Sequence, residues 1–195
     1  MSKLIPLLEQ IHACCLCKEQ LEHGVRPVIQ LHEDAKILIA GQAPGRKVHE
    51  SGIPFDDASG ERLRAWMGVD KSTFYDATKV AIVPMGFCYP GSYQGKGKSG
   101  DLPPRPECAQ TWHQQVLSQL EQVELILVIG QYAQAYHLKN KRSVTACVQA
   151  WQEYWPQYLP LPHPSPRNNI WLAKNPWFEQ ELVPVLQQRI AGITK

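Results

Sequence analysis

The chain has 195 residues, 44% of them hydrophobic and 19% charged, which fits a single globular domain over 1–195 and excludes a disordered chain. Its net charge of +2 permits nucleic-acid binding without demanding it, and apolar runs such as Val123 to Ile129 are too short to span a bilayer. Ser2 and Lys3 precede an amphipathic stretch rather than a cleavable leader, so the expected setting is the cytoplasm, with no membrane contact. From the amino end, residues 3–12 carry Leu4, Leu7, Leu8 and Ile11 at helical spacing, with Pro6 tolerable only in a first turn. Cys14, Cys15 and Cys17 then interrupt the helix. Ile37 to Ala40 is wholly apolar and predicts a strand buried on both faces, ending at Gly41. Ser59 to Met67 predicts a helix with Ser59 as N-cap and Gly68 as stop. Val80 to Val83 is a second strand, ending at Pro84, and Pro106 to Gln122 a helix opened by a proline. Leu125 to Ile129 is a third strand, and Gly130 to Ala133 its exit. A helix over Ser143 to Trp155 follows, then a weaker strand from Tyr158 to Pro162. The last helix runs from Pro176 to Ile190, kinked or split at Pro184.

Strands alternating with helices predict an α/β fold. It is a three-layer sandwich with a short central parallel sheet of about four strands, covered by helices on both faces. Ligands bind such sheets at the carboxyl ends of the strands. Here those ends carry Gly41-Gln42-Ala43-Pro44-Gly45, Pro84, Gly130 and His163-Pro164-Ser165-Pro166. The first pentapeptide fixes a tight turn that a ligand can approach closely, and reads equally as a plain strand-to-loop turn. Phe55, held on the loop Gly52-Ile53-Pro54-Phe55, could stack on a planar base, although any Phe taken alone belongs first to the core. His163 is clamped between prolines where an imidazole can donate to an oxygen gaining negative charge, or where a surface turn needs no chemistry at all. Basic groups at Arg46 and Lys47, at Lys96, Lys98 and Arg105, and at Lys139, Lys141 and Arg142 read first as solvated loops.

Taken together these motifs resemble the uracil-DNA glycosylase superfamily, and within it the iron–sulfur branch. That branch opens its site with Gly-Glu-Ala-Pro-Gly, continues to Gly-x-Pro-Phe and closes with His-Pro-Ser. This chain has 41–45, 52–55 and 163–165 in the same order, and the likeness runs from about Cys14 to Ser165. The resemblance implies an enzyme that flips a base out of DNA and hydrolyses its bond to deoxyribose. His163 would stabilise the departing base anion and Phe55 would stack on the base. Gly41, Ala43 and Pro84 would line the base, with backbone around Gln42 at its edge. Pro44, Gly45, Pro164, Ser165 and Arg167 would hold the DNA backbone.

Three departures bear on the chemistry. The branch has a glutamate where this chain has Gln42, and the best-known relatives have an aspartate where it has Ala43. Gln42 can orient a water but cannot accept its proton, so His49 is the first substitute, ahead of Glu50, Asp56 and Asp57. Pro84 stands where relatives carry an asparagine that pairs with uracil, so a related deaminated or damaged base is an equal expectation. The alternative is a non-catalytic member of the fold that binds damaged DNA.

The resemblance also assigns Cys14, Cys17, Cys88 and Cys108 to a structural 4Fe–4S cluster, while zinc or bare thiols remain open on the residues alone. Cys15 and Cys147 read as packing residues. The stretch from Gly91 to Pro106, rich in Gly, Lys and Pro, could track a DNA backbone. Trp151 and Trp155 read as packing, and Trp171 as packing or as the apolar side chain that fills the gap left by a flipped base. No heptad pattern argues against a monomer.

Overall fold

The computed structural model describes residues 3–94, 97 and 99–194; Ser2, Lys96 and Lys98, named above, lie outside them. Helix α1 (Leu4–His12) buries Leu4, Leu7 and Ile11. Strand β1 (Ile37–Ala40) leads to helices α2 (Arg46–Ser51), α3 (Ala58–Met67) and α4 (Lys71–Phe74), then to β2 (Val80–Ile82). One continuous helical run follows, made of α5 (Pro106–Cys108), a π-helical turn over Ala109–His113, and α6 (Gln114–Leu117). Strand β3 (Leu125–Ile129) passes directly into α7 (Gly130–Leu138), and α8 (Val144–Gln149) precedes β4 (Tyr158–Leu161). Helix α9 (Asn169–Lys174), a π-helical turn over Phe178–Leu182 and α10 (Val183–Ile193) complete the chain.

The four strands pair in the order β2-β1-β3-β4, all parallel. The period-two alternation of side chains splits the apolar runs between two faces. Ile37, Ile39, Val80, Leu127, Leu159 and Leu161 pack against α3, α8 and α10 on one side. Leu38, Ala81 and Val83 pack against α1 and the 106–117 helical run on the other, while Ala40 and Val128 meet Ala133 of α7. The expected three-layer α/β sandwich is therefore present, and its buried strands carry no polar residue because both faces are covered.

Several boundaries differ from expectation. Asp57, not Ser59, caps α3: its side chain accepts from the Gly60 N–H at 2.9 Å, leaving Ser59 inside the helix. Pro184 does not break the last helix. The π-helical turn before it changes the hydrogen-bond register, so the proline falls in the first turn of α10, where its missing N–H is harmless. The 143–155 helix is shorter than its pattern, ending at Gln149 before a single 3₁₀ turn at Trp151–Glu153. The exit Gly130 to Ala133 is helical from its first residue. Among the described residues no helix is long and apolar enough to cross a membrane.

Candidate active site

The carboxyl ends of β1, β2 and β4 open into one cavity of about 330 Å³, within the usual size of a small-ligand pocket. Gly41 to Gly45, Phe55, Pro84, His163, Ser165 and Arg167 all line it. Its walls are zipped together beyond the sheet: Met85 N donates to Gly41 O at 2.8 Å and Gly86 N to Gln42 O at 2.9 Å. Behind Pro84, the buried His113 ring donates from Nε2 to the Pro84 carbonyl at 3.1 Å. Burial pushes its pKa down to about 4, which keeps it neutral.

Phe55 sits on the facing wall with φ 54, a left-handed backbone rare for an aromatic. Its ring lies beside Gly41, where an added Cβ would touch Cζ at 3.7 Å, and is braced edge-on by Phe74 with ring centres 6.1 Å apart. The backbone turn is held from below by Gly60, which has no side chain to collide with the Phe55 carbonyl.

The His163 loop is held by its own hydrogen bonds. Ser165 N donates to His163 Nδ1 at 3.2 Å, and Asn168 Nδ2 donates to the His163 carbonyl at 2.7 Å. Arg62, from α3, donates to Ser165 O at 3.1 Å and to Asn169 Oδ1 at 2.7 Å, tying the loop to that helix. Burial pushes the His163 pKa below its ordinary value of 6.5, Arg167 pushes the same way, and Asp57 and Asp101 oppose it. A neutral imidazole that accepts at Nδ1 carries its proton on Nε2, so this loop presents an N–H donor at neutral pH.

Two expected site residues, His49 and Pro164, lie off the cavity. Helix α2 turns by about 100° per residue, so Lys47 and Val48 face the cavity side. His49 instead meets the rings of His23 and Tyr89, with Nε2 at 3.0 Å from His23 O. Trp171 is packed, the first of its two readings: its Nε1 donates to Thr145 Oγ1 at 2.8 Å and its ring packs on Trp177 and Phe178. The preceding residue, Ile170, is 71% exposed. Pro164 is buried beneath the loop and does not touch the cavity.

The match that decides the family is to the model of the uracil DNA glycosylase superfamily, which covers residues 29–187. The chain belongs to the uracil DNA glycosylase superfamily. Its structure is also similar to the solution NMR structure of a candidate uracil DNA glycosylase from Methanosarcina acetivorans. The two share 16% identity over 82% of this chain and 93% of that one, with a TM-score of 0.49.

In this superfamily member Gln42 has an anchoring contact that the sequence did not reveal. Its Nε2 donates to Leu102 O at 3.0 Å, fastening the 91–102 segment to the first strand end. The two ends of that segment pair with each other: Ser92 bridges Asp101 in antiparallel fashion, Tyr93 N donates to Gly100 O at 3.0 Å and Leu102 N to Gly91 O at 2.8 Å. It carries Asp101 to the cavity wall. Neither Asp101 nor Arg62 stands out in the sequence, since each lies in a stretch with no motif of its own.

On the other side of the same loops, Cys14, Cys17, Cys88 and Cys108 line a second, smaller cavity together with Phe87, Arg105 and Trp112. Burial pushes the Cys88 thiol up to about 11 and the Cys108 thiol up to about 12, and the other cysteines of the group add to both. Phe87 N donates to Cys108 Sγ at 3.3 Å. Thiols in such surroundings become thiolates only when a cationic centre compensates them. Cys147, by contrast, is buried under α8, and Cys15 is exposed.

Proposed function

We propose that the protein is a DNA N-glycosylase that hydrolyses the bond between deoxyribose and uracil, or a related deaminated base, flipped into the 330 Å³ cavity. The observation that carries this reading is the Ser165 N–H donated to His163 Nδ1, which leaves Nε2–H free to meet the base. As the C1′–N bond breaks, its electron pair passes to the base and charge builds on a ring carbonyl oxygen. One well-placed donor stabilises such an oxygen by about 3–4 kcal/mol. Phe55 stacks on the base, and the Gly41 to Ala43 backbone lies at its edge. Ser165 and Arg167 hold the flanking phosphates, and the exposed Ile170 takes the space the base vacates in the duplex.

Pro84 lines the cavity with no side-chain hydrogen bond to offer, so discrimination among deaminated bases rests on shape and backbone. The enzyme is expected to release more than one of uracil, hypoxanthine and xanthine. Incubation with oligonucleotides carrying each base, followed by alkaline cleavage of abasic sites, tests this. Tight binding without cleavage of any of them would favour the non-catalytic reading.

The four cysteines are proposed to hold a 4Fe–4S cluster that staples the amino-terminal segment to the 86–108 loops. The donor set fits: four thiols surround one cavity, with a backbone N–H already directed at Cys108. When bound, such a cluster supplies structural cross-linking, because hydrolysis of a glycosidic bond transfers no net electrons. Anaerobically purified protein should contain iron and acid-labile sulfide in equal amounts; zinc without sulfide would rule the cluster out.

A further inference from the structure

We propose that Asp101, held at the cavity by the pairing of residues 91–93 with 100–102, is the catalytic carboxylate that orients the attacking water and receives its proton. The proposal rests on the glycosylase reading above. It answers the question left by Gln42, an amide that cannot take a proton, and by Ala43, which has no polar side chain.

Three features place Asp101 in that role. It lines the same cavity as His163 and Phe55, and its charge reaches the His163 imidazole. Its carboxylate is oriented by a chain of hydroxyls: Tyr89 Oη lies 2.7 Å from Ser92 Oγ, and Ser92 Oγ donates to Asp101 Oδ1 at 2.9 Å. With the serine proton given to the carboxylate, the tyrosine is the donor of the first bond. Oδ2 is left over, on the side of Gly45, where an added Cβ would come within 3.7 Å of it.

The third feature is the anchoring of the neighbouring residue, Leu102. Gln42 donates to Leu102 O, the residue next to Asp101. A carboxylate at position 42 could only accept, and would face the Leu102 carbonyl oxygen with no proton between them. The amide at position 42 and the carboxylate at position 101 thus form one arrangement. The strand end carries an amide in place of an acid and uses it to fasten Leu102, beside which Asp101 supplies the carboxylate.

The remaining acids fit less well. Asp57 also lines the cavity, but its Oδ1 is committed to the Gly60 N–H at the start of α3. Glu50 pairs with Arg46 at 3.1 Å and does not line the cavity.

The step balances without a co-reactant. The water oxygen bonds to C1′ as the C1′–N electron pair leaves with the base. One water proton passes to Asp101 and on to solvent, and the base anion takes a proton back from solvent. The products are an abasic sugar and a neutral base. Until then the carboxylate also faces the positive charge that develops on the sugar.

The test is single-turnover base release by the full-length, anaerobically purified protein, with Asp101→Asn, Asp101→Glu and Asp57→Asn as variants. Asparagine still accepts from Ser92 at position 101 and still caps a helix at position 57, so both variants should fold. Asp101→Asn is expected to slow release about 100- to 10,000-fold, the usual range for a general base, with oligonucleotide affinity and melting temperature unchanged. Asp101→Glu should restore part of the rate. Full activity in Asp101→Asn would overturn the proposal, and loss confined to Asp57→Asn would move the role to that residue. A wild-type protein inactive on every base would instead contradict the glycosylase reading, so the two failures are distinguishable.

Discussion

Replacing His163 with alanine should slow base release by about 100- to 1000-fold while leaving DNA affinity nearly intact, as expected for loss of one preorganised donor. The loop survives the change because Arg62 and Asn168 hold it through the Ser165 and His163 backbone carbonyls rather than through the imidazole. His163→Gln, which keeps an N–H donor, should recover part of the loss. The wild-type pH profile follows from the same environment. Burial holds the imidazole neutral at and above its ordinary pKa of 6.5, so the rate should show no histidine titration on the alkaline side. Below 6.5, protonation puts a hydrogen on Nδ1 facing the Ser165 N–H, and the rate should fall as the loop loses that bond. Stopped single-turnover assays across this range check both points; an alanine variant with the wild-type rate would remove His163 from the mechanism.

Gly60→Ala should be strongly damaging. A Cβ at position 60 would lie 1.8 Å from the Phe55 carbonyl oxygen and 2.8 Å from its carbonyl carbon, so the Phe55 turn must move. Overpacking of this kind costs about 3 kcal/mol. For a chain of this length that lowers the melting temperature by roughly 10 °C. Because Phe55 already occupies a left-handed backbone conformation, displacing it also moves the ring proposed to stack on the base, and activity should fall with stability. Gly192→Ala is the matched comparison: it lies in α10 with nothing within 4 Å of the added atom and should be neutral or mildly stabilising. Equal melting temperatures for Gly60→Ala and the wild type would contradict this account of how the Phe55 wall is built.

The four strands were legible because each is a short apolar run bounded by Gly, Pro or His, and burial on both faces leaves little else such a run can be. Short helices such as α2 and α4 were not, since a four- to six-residue helix shows too little of the 3.6-residue period. Within the site, Gly41 to Gly45, His163 and Ser165 were readable because each motif occupies one loop at one strand end, and Phe55 because its Gly-x-Pro-Phe turn is short and fixed by a proline between two helices. His49 misled because sequence proximity to the first motif says nothing about which way a helix turns it. Asp101 was invisible for the opposite reason. It lies in a stretch without periodicity, and the Gln42 to Leu102 contact that helps hold it at the cavity joins residues 60 apart. Ile170 shows the same limit on a smaller scale: a shift of one residue on α9 separates a core tryptophan from an exposed isoleucine.

The central claim is that this cavity releases a base from DNA. Mass measurement of the small molecules freed from oligonucleotides carrying a single uracil, hypoxanthine or xanthine tests it most directly. The account predicts a free base of unaltered mass from at least one of them, with an abasic strand in equal amount. Strands that stay intact with all three bases, from protein shown to bind them, would contradict it.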